Sequence, residues 1–275
     1  MTYATLLVNL EAGRSNAHLL QVARDVAERF QAKVIGSTAC SPIQMIYGDG
    51  YSYGDILEQD SKEIELEIAA AEAEFRDAMG DPSRIVGWRP AVLATLLSDH
   101  LASGASRADL VLTSAGSTEA FNAARQVSTG DLIMQAGRPV LLVAPAPAPF
   151  RMERIMIAWK NTREARRAVA DALPLLKQAS HVSIAEIAPQ EDLSAARSRL
   201  DEVVSWLGRH GVAADAHASP PTGDDATGLD AMATERAADI IVAGAYGHSR
   251  VREWALGGVT RTMLKHAVRS SLVSH

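Results

Sequence analysis

The sequence predicts an α/β protein built from two tandem doubly wound parallel-sheet domains. Three observations lead there. Short apolar runs alternate with helix-length amphipathic segments along the chain, the alternation repeats after the midpoint, and a Pro/Ala run divides the halves. With 275 residues there is room for two domains of ordinary size, and 47% hydrophobic against 22% charged residues is a globular balance.

In the first half, Leu6-Leu7-Val8 reads as a strand over 4–9 buried on both faces. A helix over 15–31 follows, with Ser15 as N-cap and Leu19, Val22, Ala23, Val26 and Phe30 at helical spacing. After a strand over 33–39, the Gly- and Tyr-rich segment Pro42 to Gln59 has no period and reads as a loop. The segment 60–79 sets Ile64, Leu66, Ile68, Ala71 and Phe75 among many glutamates, an amphipathic surface helix. The remainder reads as a strand (84–88), a helix (90–103), a strand (108–113), a helix (127–137) and a strand (139–144). Ala144 to Phe150, APAPAPF, is a semi-rigid spacer, because alternating prolines cannot donate a regular ladder. The expected domains are 1–144 and 151–275, with 145–150 as linker.

The second half repeats the order. Its strands are expected at 154–159, 180–186, 212–217, 239–243 and 270–274, its helices at 163–177, 191–210, 226–236 and 257–267. Ile155-Met156-Ile157 matches the first strand, Thr162 is the corresponding N-cap, and Ala165, Ala168, Val169, Ala172 and Leu176 form the helix stripe. Ala108-Asp109-Leu110-Val111-Leu112 is echoed by Ala238-Asp239-Ile240-Ile241-Val242, and Arg138 to Leu142 by Arg269 to Val273. Equivalent positions lie 149 residues apart at the first strand and 130 to 131 apart near the end, so the first half carries about 19 extra residues, placed at Pro42–Gln59. Right-handed parallel crossovers follow, with ligands expected beyond the carboxyl ends of the strands where their order reverses.

The chemistry concentrates between Gly244 and Thr260. Gly244, Gly247, Gly257 and Gly258 bracket a turn from a strand end to a helix start, where backbone amides can approach anionic oxygens and Thr260 can add a hydroxyl. The same residues also read as a glycine-rich surface loop with no ligand. Gly, two residues, Gly, nine residues, Gly resembles the signature of the universal stress protein family, with Gly258 where Ser or Thr is usual. That resemblance covers both halves. It implies the adenine nucleotide alpha hydrolase-like fold, a five-stranded parallel sheet per domain, dimer-like packing between domains or a homodimer, and ATP or AMP bound at the loop, with Mg only as the nucleotide's own ion.

Carried over by residue, the resemblance implies that Gly244, Gly247, Gly257, Gly258, Val259 and Thr260 surround phosphates and ribose, with His248 and Arg250 nearby. Ala158-Trp159-Lys160 stand where the family's first strand ends in an Asp that contacts the nucleoside. Lys160 takes the Asp position, and a lysine cannot accept a hydrogen bond. In the first half the glycines do not recur around Ser114 to Gly116 and Gln126 to Gly130, and Glu11 stands at the Asp position, so no such site is expected there.

No catalytic set is evident, and slow ATP hydrolysis is the most the resemblance implies; Glu253 and Asp239 are the acids nearest the loop in sequence. The eight histidines, His248, His266 and His275 among them, show no metal-binding spacing. Trp88, Trp159, Trp206 and Trp254 read as core or interface residues. A net charge of −6 gives no reason to expect nucleic acid or anionic lipid. The single Cys40, the absence of a signal-like start and the lack of a span of about 20 apolar residues suggest the cytoplasm. Ser-Gly-Gly, G-x-G-x-x-G and Walker loops are absent from the first turn, which argues against ligases and dinucleotide enzymes. The reading is a stress or signalling protein that binds an adenine nucleotide; the alternative is a nucleotide-free interaction scaffold.

Overall fold

In the computed structural model, residues 2–43, 53–116, 124–145, 150–223, 225–245 and 268–275 are described. They form two compact units, Tyr3–Gly137 and Arg138–His275.

The first unit contains β1 (Thr5–Leu10), α1 (Ala17–Phe30), β2 (Lys33–Cys40), α2 (Tyr53–Met79), β3 (Ile85–Val92), α3 (Leu97–Gly104), β4 (Leu110–Ser114) and α4 (Thr129–Gln135). Its strand order is β3-β2-β1-β4, and the described ladders β1·β2, β1·β4 and β2·β3 are parallel. Residues 6–10 of β1 are all buried, which is why a run without polar alternation suits this central position. Asn9 is the polar exception, and its amide donates to Thr113 Oγ1 across β1·β4 at 3.1 Å.

Three local expectations change. The cap of α1 is Asn16 rather than Ser15, because Asn16 Oδ1 and Nδ2 tie the Glu11–Arg14 turn together. The helix α2 begins at Tyr53, inside the segment read as loop. Strand β3 runs on through Pro90 to Val92, where a helix was expected from residue 90. The missing N–H is tolerated because β3 is an edge strand.

The second unit contains β5 (Val140–Val143), β6 (Arg154–Ala158), α5 (Arg163–Leu176), β7 (His181–Ile187), α6 (Leu193–Arg209), β8 (Asp215–Ser219), α7 (Asp225–Glu235), β9 (Ile240–Gly244) and β10 (Ser270–Ser274). The order is β5-β10-β9-β6-β7-β8; β10, β9, β6, β7 and β8 are mutually parallel, and β5 runs antiparallel to β10. Thr162 caps α5 as expected, accepting from the Ala165 N–H at 3.2 Å. Met156, Ala158, Ala185, Ile241 and Ala243 form one apolar cluster with Leu229, Met232 and Ala233 of α7.

The internal repeat reaches hydrogen-bond detail. Asp109 Oδ2 accepts from the backbone N–H groups of Ala4 and Thr5, and Asp239 Oδ2 accepts from those of Glu153 and Arg154. Each aspartate also donates its own N–H to the first strand, to Thr5 O and Arg154 O respectively. The sequence offsets of 149 and 130 residues therefore superimpose two copies of one device that pins the central strands together.

Candidate functional site

Strand order reverses between β1 and β4 in the first unit and between β6 and β9 in the second, the places where doubly wound sheets take ligands. The two carboxyl edges are built differently.

In the first unit the edge is filled by the chain's own side chains. Gln126 Nε2 donates to Glu11 Oε2 at 3.2 Å, linking the turn after β1 to the segment that leads into α4. Beside it, Arg125 donates through Nε to Glu67 at 2.7 Å, through Nη2 to Asp60 at 3.1 Å, and through Nη1 to Ser41 O at 2.9 Å. Asp60 also accepts from the Ile43 N–H, while Glu74 accepts from the Asn16 N–H and the Ser15 hydroxyl. Asp60, Glu67 and Glu74 recur every seventh residue of α2, one stripe of the helix that reaches Arg125, Asn16 and Ser15. Gly13, at φ +72°, passes so close that a Cβ there would lie 2.6 Å from Glu67 Oε1.

The second unit has no such stripe among its described residues. Trp159 extends the ladder by one bond, its N–H donating to Ala185 O at 2.8 Å, and its buried indole N–H has no acceptor among the described residues. Lys160 is exposed, and its carbonyl accepts from the Thr162 N–H in the tight turn that starts α5. Ala158 is buried within the α7 cluster, so only its backbone lies at this edge. Gly244 ends β9 directly under the first turn of α5. A Cβ there would fall 2.4 Å from Ala165 N and 2.5 Å from Glu164 C. Part of the need for glycine here is thus close strand–helix packing.

After Gly244, the Ala245 N–H is paired with Ser274 O at 2.9 Å and its carbonyl with His275 Nδ1 at 3.1 Å. Gly247, His248, Arg250, Glu253, Trp254, Gly257, Gly258, Val259, Thr260 and His266 lie outside the described residues. Of the expected site residues, Ala158, Trp159, Lys160 and Gly244 are thus described, and Ala158 pairs with Ala243, the residue before Gly244. Asp239 sits at the start of β9, the opposite end of the strand from Gly244, and serves the pinning role described above.

Glu164 is buried at the start of α5. Burial pushes its carboxyl up, but a bond from its own backbone N–H, the Arg163 guanidinium and the Thr162 hydroxyl outweigh burial and hold it below the ordinary range. The Arg125 clamp and the paired aspartates escaped the sequence reading. Signals for both were present, in the seven-residue spacing of acids and in the Ala-Asp echo.

No family model matches the sequence, and no curated protein matches it significantly. Solved structures do. The chain is similar to a universal stress protein from Archaeoglobus fulgidus DSM 4304, with TM-score 0.72 and 14% identity over 98% of this chain and 95% of that one. It is also similar to a functionally unknown protein from Pseudomonas aeruginosa PAO1, with TM-score 0.61 and 15% identity over 99% and 92% of the two chains. The fold of this chain is thus the universal stress protein fold, over both of its units.

Proposed function

We propose that the chain acts as a tandem universal stress protein that binds ATP or AMP at the carboxyl edge of its second half, in stress response or signalling rather than fast turnover. The proposed ligand residues are Gly244, Gly247, His248, Arg250, Gly257, Gly258, Val259 and Thr260, together with Ala158, Trp159 and Lys160. The proposed domains are 1–144 and 151–275, and the proposed compartment is the cytoplasm. Among the described residues no helix is long and apolar enough to cross a membrane.

The observation that carries this reading is the contrast between the two switch points. The first is closed by Glu11–Gln126 and by the carboxylate stripe of α2, whereas the described part of the second offers the exposed Lys160 and leads into the spaced glycines. With Lys160 in place of an acceptor, the ribose loses one partner and the phosphates gain a cation. Any magnesium arrives as the nucleotide's own counter-ion.

One observation favours the alternative, a nucleotide-free scaffold. Gly244 has a packing reason to be glycine that needs no ligand. Calorimetric titration of the full chain with ATP, ADP and AMP separates the two readings. The nucleotide reading expects binding to a single site per chain, abolished by Gly247→Val. Binding that persists in the variant moves the site elsewhere, and absence of heat with every nucleotide supports the scaffold.

A further inference from the structure

We propose that the groove between α2 and the edge strand β3 is a docking surface for a short extended segment of a partner protein, one carrying an apolar side chain flanked by Lys or Arg. It lies in the first unit and stands apart from the nucleotide reading.

The groove, about 320 Å³, is walled on one side by Glu65, Ile68, Ala69 and Glu72 of α2, which share a helix face at spacings of three, four and seven. The other wall is Trp88, Pro90, Ala91 and Val92 of β3. Its floor is firm. Trp88 stacks on the fully buried Phe75 with ring centroids 5.7 Å apart. Both rings lean over Gly36, where a Cβ would come within 2.9 Å of each. A ring fixed from beneath offers an apolar anchor site at little ordering cost. Val92, 51% exposed, and Val86, 54% exposed, continue the apolar surface along the same edge strand.

Two features define the occupant. Pro90 interrupts the N–H groups of β3 mid-strand, so an added strand could not pair continuously and recognition falls to side chains in the groove. Charge then selects the sign. Two carboxylates of α2 line the groove, Glu65 and Glu72, and Glu72 is paired with Arg76 just as Glu58 is paired with Lys62, so Glu65 is the groove's acid that carries the charge. Glu65 stands exposed on the rim, with no ion pair among the described residues. A basic segment is complementary to this rim. An acidic peptide is repelled by it, and a second copy of this chain would bring the same acidic helix.

The test uses the full chain and fluorescein-labelled nine-residue peptides with a central Leu flanked by lysines, read by anisotropy. Controls replace the lysines by glutamates, or the Leu by Gly. The expected result is saturable binding of the Lys/Leu peptide, weakened about tenfold or more by either control and by Glu65→Lys or Val92→Asp in the protein. Both substituted residues are exposed, and circular dichroism checks that each variant keeps its fold. Three results overturn the proposal: no binding of the Lys/Leu peptide, equal binding of the Glu peptide, or unchanged affinity in both variants. Concentration-dependent dimerisation abolished by Val92→Asp would assign the groove to a second copy and overturn it as well.

Discussion

Gly244 and Glu164 show how much a single position at a sheet's carboxyl edge can be asked to do. The glycine lets α5 start against β9, and the helix start so placed is where the Glu164 carboxylate is buried. That carboxylate sits where the unpaired N–H groups of a helix favour negative charge, and its affinity for a proton is lowered in the folded protein. A group whose folded pKa lies below its unfolded value adds stability above the unfolded pKa and loses it as pH falls through the folded one. Glu164→Gln should therefore lower stability by about 0.5–1 kcal/mol at neutral pH. The gap to the parent protein should close as pH falls through and below the ordinary carboxylate range. Urea unfolding across that range is the measurement. A gap independent of pH would mean that the charge contributes nothing.

At the scale of elements, α2 fixes the character of the first unit. Arg125 is held by two carboxylates on this helix, with side-chain exposures of 13% for Arg125, 2% for Asp60 and 18% for Glu67. A buried ion pair adds little net stability over an apolar replacement, whereas removing one partner strands the other's charge. Arg125→Met should thus cost roughly 3–5 kcal/mol and speed amide exchange in α2 first. Adding Asp60→Asn and Glu67→Gln to that variant should restore a large part of the loss, since no unpaired charge remains. If the triple variant is no more stable than the single one, the clamp is not electrostatic. The helix itself was readable from Ile64, Ala71 and Phe75, which are buried as its period requires. Its first turn and its partner were not. Ile56 and Leu57 do stand at helical spacing from Tyr53 and Ile64, but they are half-exposed and follow directly on the Gly- and Tyr-rich stretch, and Arg125 lies 58 residues beyond Glu67, a separation that local propensity cannot bridge.

Among the described residues, the order of strands and helices followed from the sequence because buried parallel strands are unbroken apolar runs and their crossover helices carry one apolar stripe, while the helix expected over 257–267 lies outside them. The two-fold repeat was legible as well, and the paired roles of Asp109 and Asp239 make it physical. The pairing of β5 was not legible. Val140-Leu141-Leu142-Val143 is as apolar as any parallel strand here, and nothing in such a run encodes direction. It pairs antiparallel with β10, placing Leu141 opposite Leu272 and Val140 opposite Val273, and the Ala144 N–H donates to Ser270 Oγ. A consequence follows for where the chain can be cut. A fragment starting at Arg138 keeps this ladder, whereas one starting at Arg151 leaves β10 paired with β9 alone and bares its other side. The longer fragment should unfold cooperatively and elute as a single species. The shorter one should be less stable by at least about 2 kcal/mol, from the lost burial of Val and Leu side chains, and should self-associate through the open strand. Light scattering after gel filtration, with urea unfolding of both fragments, checks this. Equal midpoints and equal masses per chain would show that β5 adds nothing to the stability of the unit that contains it.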